Sequence, residues 1–171
     1  MKKLFIIGLA LFLLSCEGEK KKPIYVDADF QEEYLSATYD DEIEVPFRNV
    51  NGIKYVSVKV NGVGFDMIFD TGCSGALISI AEANYLYQKG KLSEEDILGV
   101  TTSQIADGSI TVNTVVNLKE VIINDQIRCP NVIATVSDNI NAPLLLGNAV
   151  LDRSASITID NDKSVLIFKI K

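Results

Sequence analysis

The most regular signal along the chain is an alternation of apolar and polar positions. Val56, Val58 and Val60 alternate with Ser57 and Lys59, the period-two pattern of a strand with one buried face. Asn61-Gly62 follows, a pair favoured in two-residue hairpin turns, and Phe65 to Phe69 reads as the returning arm. Upstream, Ile43 and Val45 alternate with acids before Pro46; downstream, Ala76 to Ile78 is a short apolar piece after a glycine turn. One helix interrupts the strands. Ser79-Ile80-Ala81-Glu82 fits a capping box, Gly90 fits the stop, and Ala81, Tyr85 and Leu86 are placed to share a face. A second short helical turn is expected from Ser93, with Glu94, Glu95 and Asp96 as a solvated acidic start. Strands are predicted again over 100–106, 109–123 and 126–136, separated by turns at Ala106-Asp107-Gly108-Ser109 and Asn124-Asp125. Leu144 to Leu146 is a buried-looking apolar run, and Asn148 is positioned to cap a short helix over 149–152. Ile157 to Ile159 and Val165 to Ile170 flank Asp160-Asn161-Asp162 as a closing hairpin. The sum predicts an all-β domain, a closed β-barrel with one or two short helices.

The amino terminus follows a different pattern. Lys2 and Lys3 precede an apolar run from Leu4 to Leu14, too short to span a bilayer but suited to a signal-peptide core. The run ends in Leu13-Leu14-Ser15-Cys16, which resembles the lipobox of bacterial lipoproteins. That resemblance implies a signal peptide over 1–15, a lipidated Cys16 and a membrane anchor in the bacterial cell envelope. Residues 16–41 then form a tether and an acidic arm dotted with aromatics, and 42–171 the folded domain. The periodicity of the arm leaves its structure open.

Composition narrows the chemistry. The 171 residues carry 16 basic and 23 acidic side chains, a net charge of −7, which argues against nucleic acid as a partner. There is no histidine, so serine–histidine and cysteine–histidine nucleophile pairs are impossible within the chain. Three cysteines are too few for an all-thiolate zinc site. Cys73 and Cys129 are expected as free thiols, although an exported protein permits a bridge. Carboxylates, lysines and hydroxyls remain.

The stretch that carries chemistry is Phe65-Asp66-Met67-Ile68-Phe69-Asp70-Thr71-Gly72-Cys73-Ser74-Gly75. An aspartate that ends an apolar strand needs specific partners to stay ionised. Gly72 permits a tight turn, and Thr71 adds a hydroxyl. Alone, Asp70 could be a turn residue capping its own loop. In context, with the Ala106–Ser109 turn and then Leu145-Leu146-Gly147-Asn148 near the end, the pattern resembles the retropepsin-like (retroviral-type) aspartic protease family in its bacterial single-domain form. The resemblance runs from about Val45 to Lys171. It implies that Asp70 is catalytic and that Thr71 makes hydrogen bonds between subunits beneath the site. It implies that Ala106, Asp107, Gly108 and Ser109 form a substrate-covering flap, and that Leu145, Leu146 and Gly147 support the catalytic loop. It implies a polypeptide substrate and no metal or cofactor. The position after Asp-Thr-Gly is usually Ala, Ser or Thr in the family and is Cys73 here. The chain holds a single Asp-Thr-Gly, so a two-carboxylate site requires a homodimer, with Val165 to Lys171 as a candidate interface strand. Two other readings stay open: a catalytically silent member of the same fold that binds or dimerises, and an unrelated ligand-binding or structural β-barrel lipoprotein.

Overall fold

The computed structural model describes Ile24–Tyr25 and residues 42–104 and 110–171. The chain order is β1 (Ile24–Tyr25), β2 (Glu42–Pro46), β3 (Arg48–Val50), β4 (Ile53–Val60), β5 (Val63–Phe69), β6 (Ala76–Ser79), α1 (Ile80–Gln88), a 3-10 turn at Glu94–Asp96, β7 (Ile97–Gln104), β8 (Ile110–Ile123), β9 (Ile127–Ser137), β10 (Leu145–Leu146), α2 (Asn148–Leu151), β11 (Ser154–Asp160) and β12 (Val165–Ile170). The expected all-β class is observed.

Six strands pair in a closed circuit: β4 with β5, β5 with β10, β10 with β6, β6 with β9, β9 with β8, and β8 back to β4. The alternation in β4 has its expected cause, since Val56, Val58 and Val60 are all buried. Met67, Ile78, Leu118 and Leu146 fill the same core. Asn61 and Gly62 both take positive φ, 49° and 84°, as the tight β4–β5 turn requires. Asn124 and Asp125 do the same between β8 and β9. The short β1 adds to β9 in parallel, pairing Ile24 with Ile127.

A second sheet has the order β11-β12-β2. Ile43 and Val45 of β2 and Leu166 and Phe168 of β12 are buried beneath it. Here one expectation is corrected. The closing strand was a candidate interface strand, but β12 is the middle strand, bonded to β11 on one side and β2 on the other. Among the described residues its backbone from Val165 to Lys169 is paired on both sides.

The capping box on α1 is present: Ser79 is the N-cap and accepts from Ala81 N–H, while Glu82 reaches back to Ser79. The buried face differs from the expected one. Ala83 and Leu86 are buried, and Ala81 and Tyr85 are exposed. A nine-residue helix with apolar side chains around much of its circumference does not declare one face. The turn at Glu94–Asp96 exists, but Asp96 is buried rather than solvated. Ser93 donates its backbone N–H and its hydroxyl to Asp96 Oδ2, both at 2.8 Å, and Lys119 Nζ lies 3.2 Å away. Strand β7 begins earlier than predicted, at Ile97, because it pairs along β8 from Val116 to Ile110.

Candidate active site

The loop of interest leaves β5 at Asp70 and enters β6 at Ala76. What shapes it is the two-residue strand β10, wedged between those strands. Leu145 and Leu146 run parallel to Ile68 and Phe69 and antiparallel to Leu77 and Ala76. Ile68 N–H donates to Leu144 O at 2.8 Å, and Asp70 N–H to Leu146 O at 3.2 Å. Both ends of the 70–75 loop are thereby tied to one apolar segment, which explains why the Leu-Leu pair lies in the core: Leu146 is fully buried.

At Gly147 the chain turns against that loop. A Cβ there would fall 2.0 Å from Gly75 O, 2.4 Å from Cys73 O and 2.9 Å from Cys73 Cβ, so only hydrogen fits. The next amides exploit the approach. Asn148 N–H donates to Cys73 O at 2.8 Å and Ala149 N–H to Ser74 O at 3.0 Å. The Asn148 side chain donates through Nδ2 to Thr71 O at 3.2 Å. Three carbonyls of the 70–75 loop are thus held from one short stretch. Asn148 was expected to cap α2; instead Gly147 is the N-cap and Asn148 is the first helical residue, its side chain spent on the loop. Sequence reasoning missed this role, since an asparagine before a helix reads as a cap whenever its true partner is far along the chain.

Within the loop Asp70 is half-buried, while Thr71 and Gly72 are exposed. Asp70 Oδ1 accepts the Gly72 N–H at 2.9 Å, and Cys73 N–H donates to Asp70 O at 3.3 Å. Oδ2 accepts no hydrogen bond from the described residues, so one carboxylate oxygen is left for water or substrate. Cys73 is half-buried beside it. Burial pushes its thiol up, a Gly75 backbone hydrogen bond opposes this, and the Asp70 charge adds to the rise. Cys129, on β9, is buried and its thiol is pushed up to about 11 by desolvation, with Arg153 opposing. Both are free thiols, as expected.

The structure therefore brings Asp70, Thr71, Gly72, Cys73, Leu145, Leu146 and Gly147 into one unit. Ala106, Asp107, Gly108 and Ser109, expected in the flap, lie outside the described residues, as does Cys16. The stems flanking the expected flap are described: β7 and β8 pair up to Gln104 and Ile110. Val112 and Thr114 share strand parity with the buried Val116 and Leu118. Across the ladder Val112 faces Thr102 and Thr114 faces Val100, so the exposed Val100 and Val112 share one face of the hairpin, while Asn113 on the opposite face is buried.

The model of the family described as "gag-polyprotein putative aspartyl protease" matches residues 56–153, a span that runs from within β4 through the Asp70 loop to just past α2. A search of curated proteins gave no match. Among 145 matching chains of solved structures is a retropepsin-like aspartic protease from Rickettsia conorii. It superposes with a TM-score of 0.52 at 24% identity, covering 75% of this chain and 89% of that one. With the family model spanning more than half of its length, the chain belongs to the gag-polyprotein aspartyl protease family and carries the retropepsin-like fold.

Proposed function

We propose that the chain is an aspartic endopeptidase, active as a homodimer and held at a bacterial envelope membrane through Cys16. The observation that carries the proteolytic reading is the clamp on Asp70: a half-buried carboxylate, one oxygen satisfied by Gly72 and the other without a hydrogen bond among the described residues, on a loop held by Gly147, Asn148 and Ala149. Catalysis by positioned carboxylates needs such preorganisation.

In the dimer two Asp70 carboxylates face each other over a shared water. Like charges at that range do not both ionise comfortably, so the pair shares one proton. The ionised member takes a proton from the water as it attacks the scissile carbonyl. The protonated member donates to the carbonyl oxygen, and the tetrahedral intermediate collapses with proton delivery to the leaving amine. Thr71 supports the loop from its exposed position next to Asp70. The substrate is an extended peptide, and the exposed Val100 and Val112, which share one face of the hairpin, favour apolar side chains. No helix among the described residues is long and apolar enough to cross a membrane, and the anchoring proposal rests on residues 1–16.

Asp70→Asn tests the assignment. Peptide-library cleavage at mildly acidic and neutral pH should disappear while far-UV circular dichroism is retained; cleavage by the purified Asn variant at the parental rate refutes it. Retained fold, monomeric mass and no cleavage by the parent protein would instead favour the silent binding module.

A further inference from the structure

We propose that Arg153 is a positioning residue for the Asp70 loop, bridging the two elements between which residues 70–75 are held. Its effect on catalysis rests on the protease reading above; the bridge itself does not. One of the two elements is α2, where Asn148 and Ala149 bond three carbonyls of the loop. The other is β9. A Cβ at Gly75 would lie 3.7 Å from Ile133 O, so the end of the loop rests on the backbone of that strand. Ala76 then pairs with Ala134 as β6 leaves the loop.

Each element has a gap in its own bonding. Helix α2 is four residues long, and a helix that short cannot satisfy its last carbonyls from within. Strand β9 is paired with β8 along one edge. On its other edge β1 pairs at Ile127 and Arg128 and β6 from Ala134 to Ser137. Between them, among the described residues, no strand pairs with 129–133 on that side. The backbone also bends there, with Asn131 at a φ of 49° directly after Pro130. Carbonyls left in such a gap need donors from elsewhere.

Arg153 supplies them to both elements at once. Its Nε donates to Ala149 O at 3.1 Å, its Nη1 to Pro130 O at 2.6 Å and its Nη2 to Asn131 O at 3.2 Å. All three bonds go to backbone carbonyls, so the side chain works through the direction of its N–H groups. A planar guanidinium fork holds three such directions in one rigid group, which a lysine ammonium cannot copy. The bridge is short on the loop side as well, because Ala149 is the residue whose N–H holds Ser74 O at 3.0 Å. Arg153 therefore acts on Asp70 through Ala149 on one flank and through β9 on the other. The spacing of those flanks sets where the carboxylate sits.

The test uses the full chain in detergent with two readouts, peptide cleavage and the rate at which iodoacetamide labels Cys73, read by peptide mass. Cys73 is a free thiol within the held loop, so its labelling reports loop order whether or not the protein cleaves. In folded Arg153→Met, kcat should fall about tenfold or more with KM within about twofold, since positioning is lost and uniform binding is kept. Cys73 labelling should rise about fivefold as the loop opens more often. Arg153→Lys keeps the charge and most of the stem, should change both readouts in the same direction, and carries the test where the Met variant does not fold. Lys59→Met removes an exposed cation paired with Asp125 and should match the parent in both. Parental Cys73 labelling in a folded Arg153 variant overturns the bridge. A fall in kcat matched by an equal rise in KM overturns the positioning role. Faster Cys73 labelling in Arg153 variants of a parent that never cleaves upholds the bridge and defeats the protease reading.

Discussion

Replacing Gly147 by alanine adds one methyl group, and the structure says where it goes. It would sit 2.0 Å from Gly75 O and 2.4 Å from Cys73 O, against an ordinary contact of 3.4–4 Å. Both obstacles are backbone carbonyls, so no side-chain rotation relieves the clash. Either strand β10 withdraws from between β5 and β6, or the 70–75 loop shifts by more than an ångström. The shift breaks the bonds from Asn148 N–H to Cys73 O and from Ala149 N–H to Ser74 O. Each such bond contributes about 1 kcal/mol net, and forced overpacking adds about 1–3 kcal/mol. The sum, about 3–5 kcal/mol, is a large part of the roughly 5–15 kcal/mol that stabilises a domain. Urea unfolding followed by circular dichroism measures it as a lowered midpoint at unchanged slope. Gly64→Ala is the internal control: a Cβ there meets nothing within 4 Å, so the change should stay within about 0.5 kcal/mol. Where folded Gly147→Ala protein can be recovered, a loop displaced by about 1 Å should lower cleavage about 100-fold. A Gly147→Ala midpoint within about 1 kcal/mol of the parent would show that the clamp does not hold the loop.

Other expectations follow from single contacts. Asn148→Ala removes the bond to Thr71 O and should cost about 1 kcal/mol of stability; cleavage should fall through kcat with KM nearly unchanged, and an equal rise in KM would contradict a positioning role. At Asp96, burial pushes the carboxyl up, but the Ser93 hydrogen bonds and Lys119 outweigh it and hold the group below its ordinary 3.8. A depressed carboxyl stabilises the fold above that ordinary value and loses its effect as pH falls through the lowered one. Asp96→Asn should therefore lower Tm at pH 6 and flatten its decline between pH 6 and pH 3; a parallel decline in the two proteins would refute this. Iodoacetamide at pH 7 should label Cys73 slowly and Cys129 only after unfolding, as read by intact mass. Rapid labelling of Cys129 in native protein would show that β9 is not packed as described.

Much of this fold was legible because its signals are local. The Val56–Val60 alternation, the Asn61-Gly62 turn and the Ser79/Glu82 box each depend on residues within one or two turns of chain, and each appears in the structure. The Asp70 loop was legible for the same reason, as a short motif ending a strand. What stayed hidden depends on partners distant in sequence. Asn148 bonds to a carbonyl 77 positions away, which no spacing rule reaches. The central place of β12 follows from its pairing with β2, more than a hundred residues upstream, so its apolar alternation alone could not say that both of its edges would be taken. Asp96 looked like one of three solvated acids because its neighbours Glu94 and Glu95 are exposed; Lys119 arrives from β8 to make its burial tolerable.

The arrangement also separates two kinds of order. Within one chain the loop carbonyls of Thr71, Cys73 and Ser74 are bonded, and Asp70 Oδ1 is bonded, before any partner arrives. In the proposed dimer each chain would bring an Asp70 loop already held by its own bonds, leaving little for that loop to reorganise on association. In the proposed dimer the remaining step is encounter, so below the dimer dissociation constant activity should rise with the square of protein concentration. An anchor at Cys16 would then matter catalytically, because confinement to a surface raises the effective concentration of one copy for another. Specific activity that stays constant as vesicle-bound protein is diluted tenfold in lipid, in a range where parental dimers dissociate, would break that link between anchoring and catalysis.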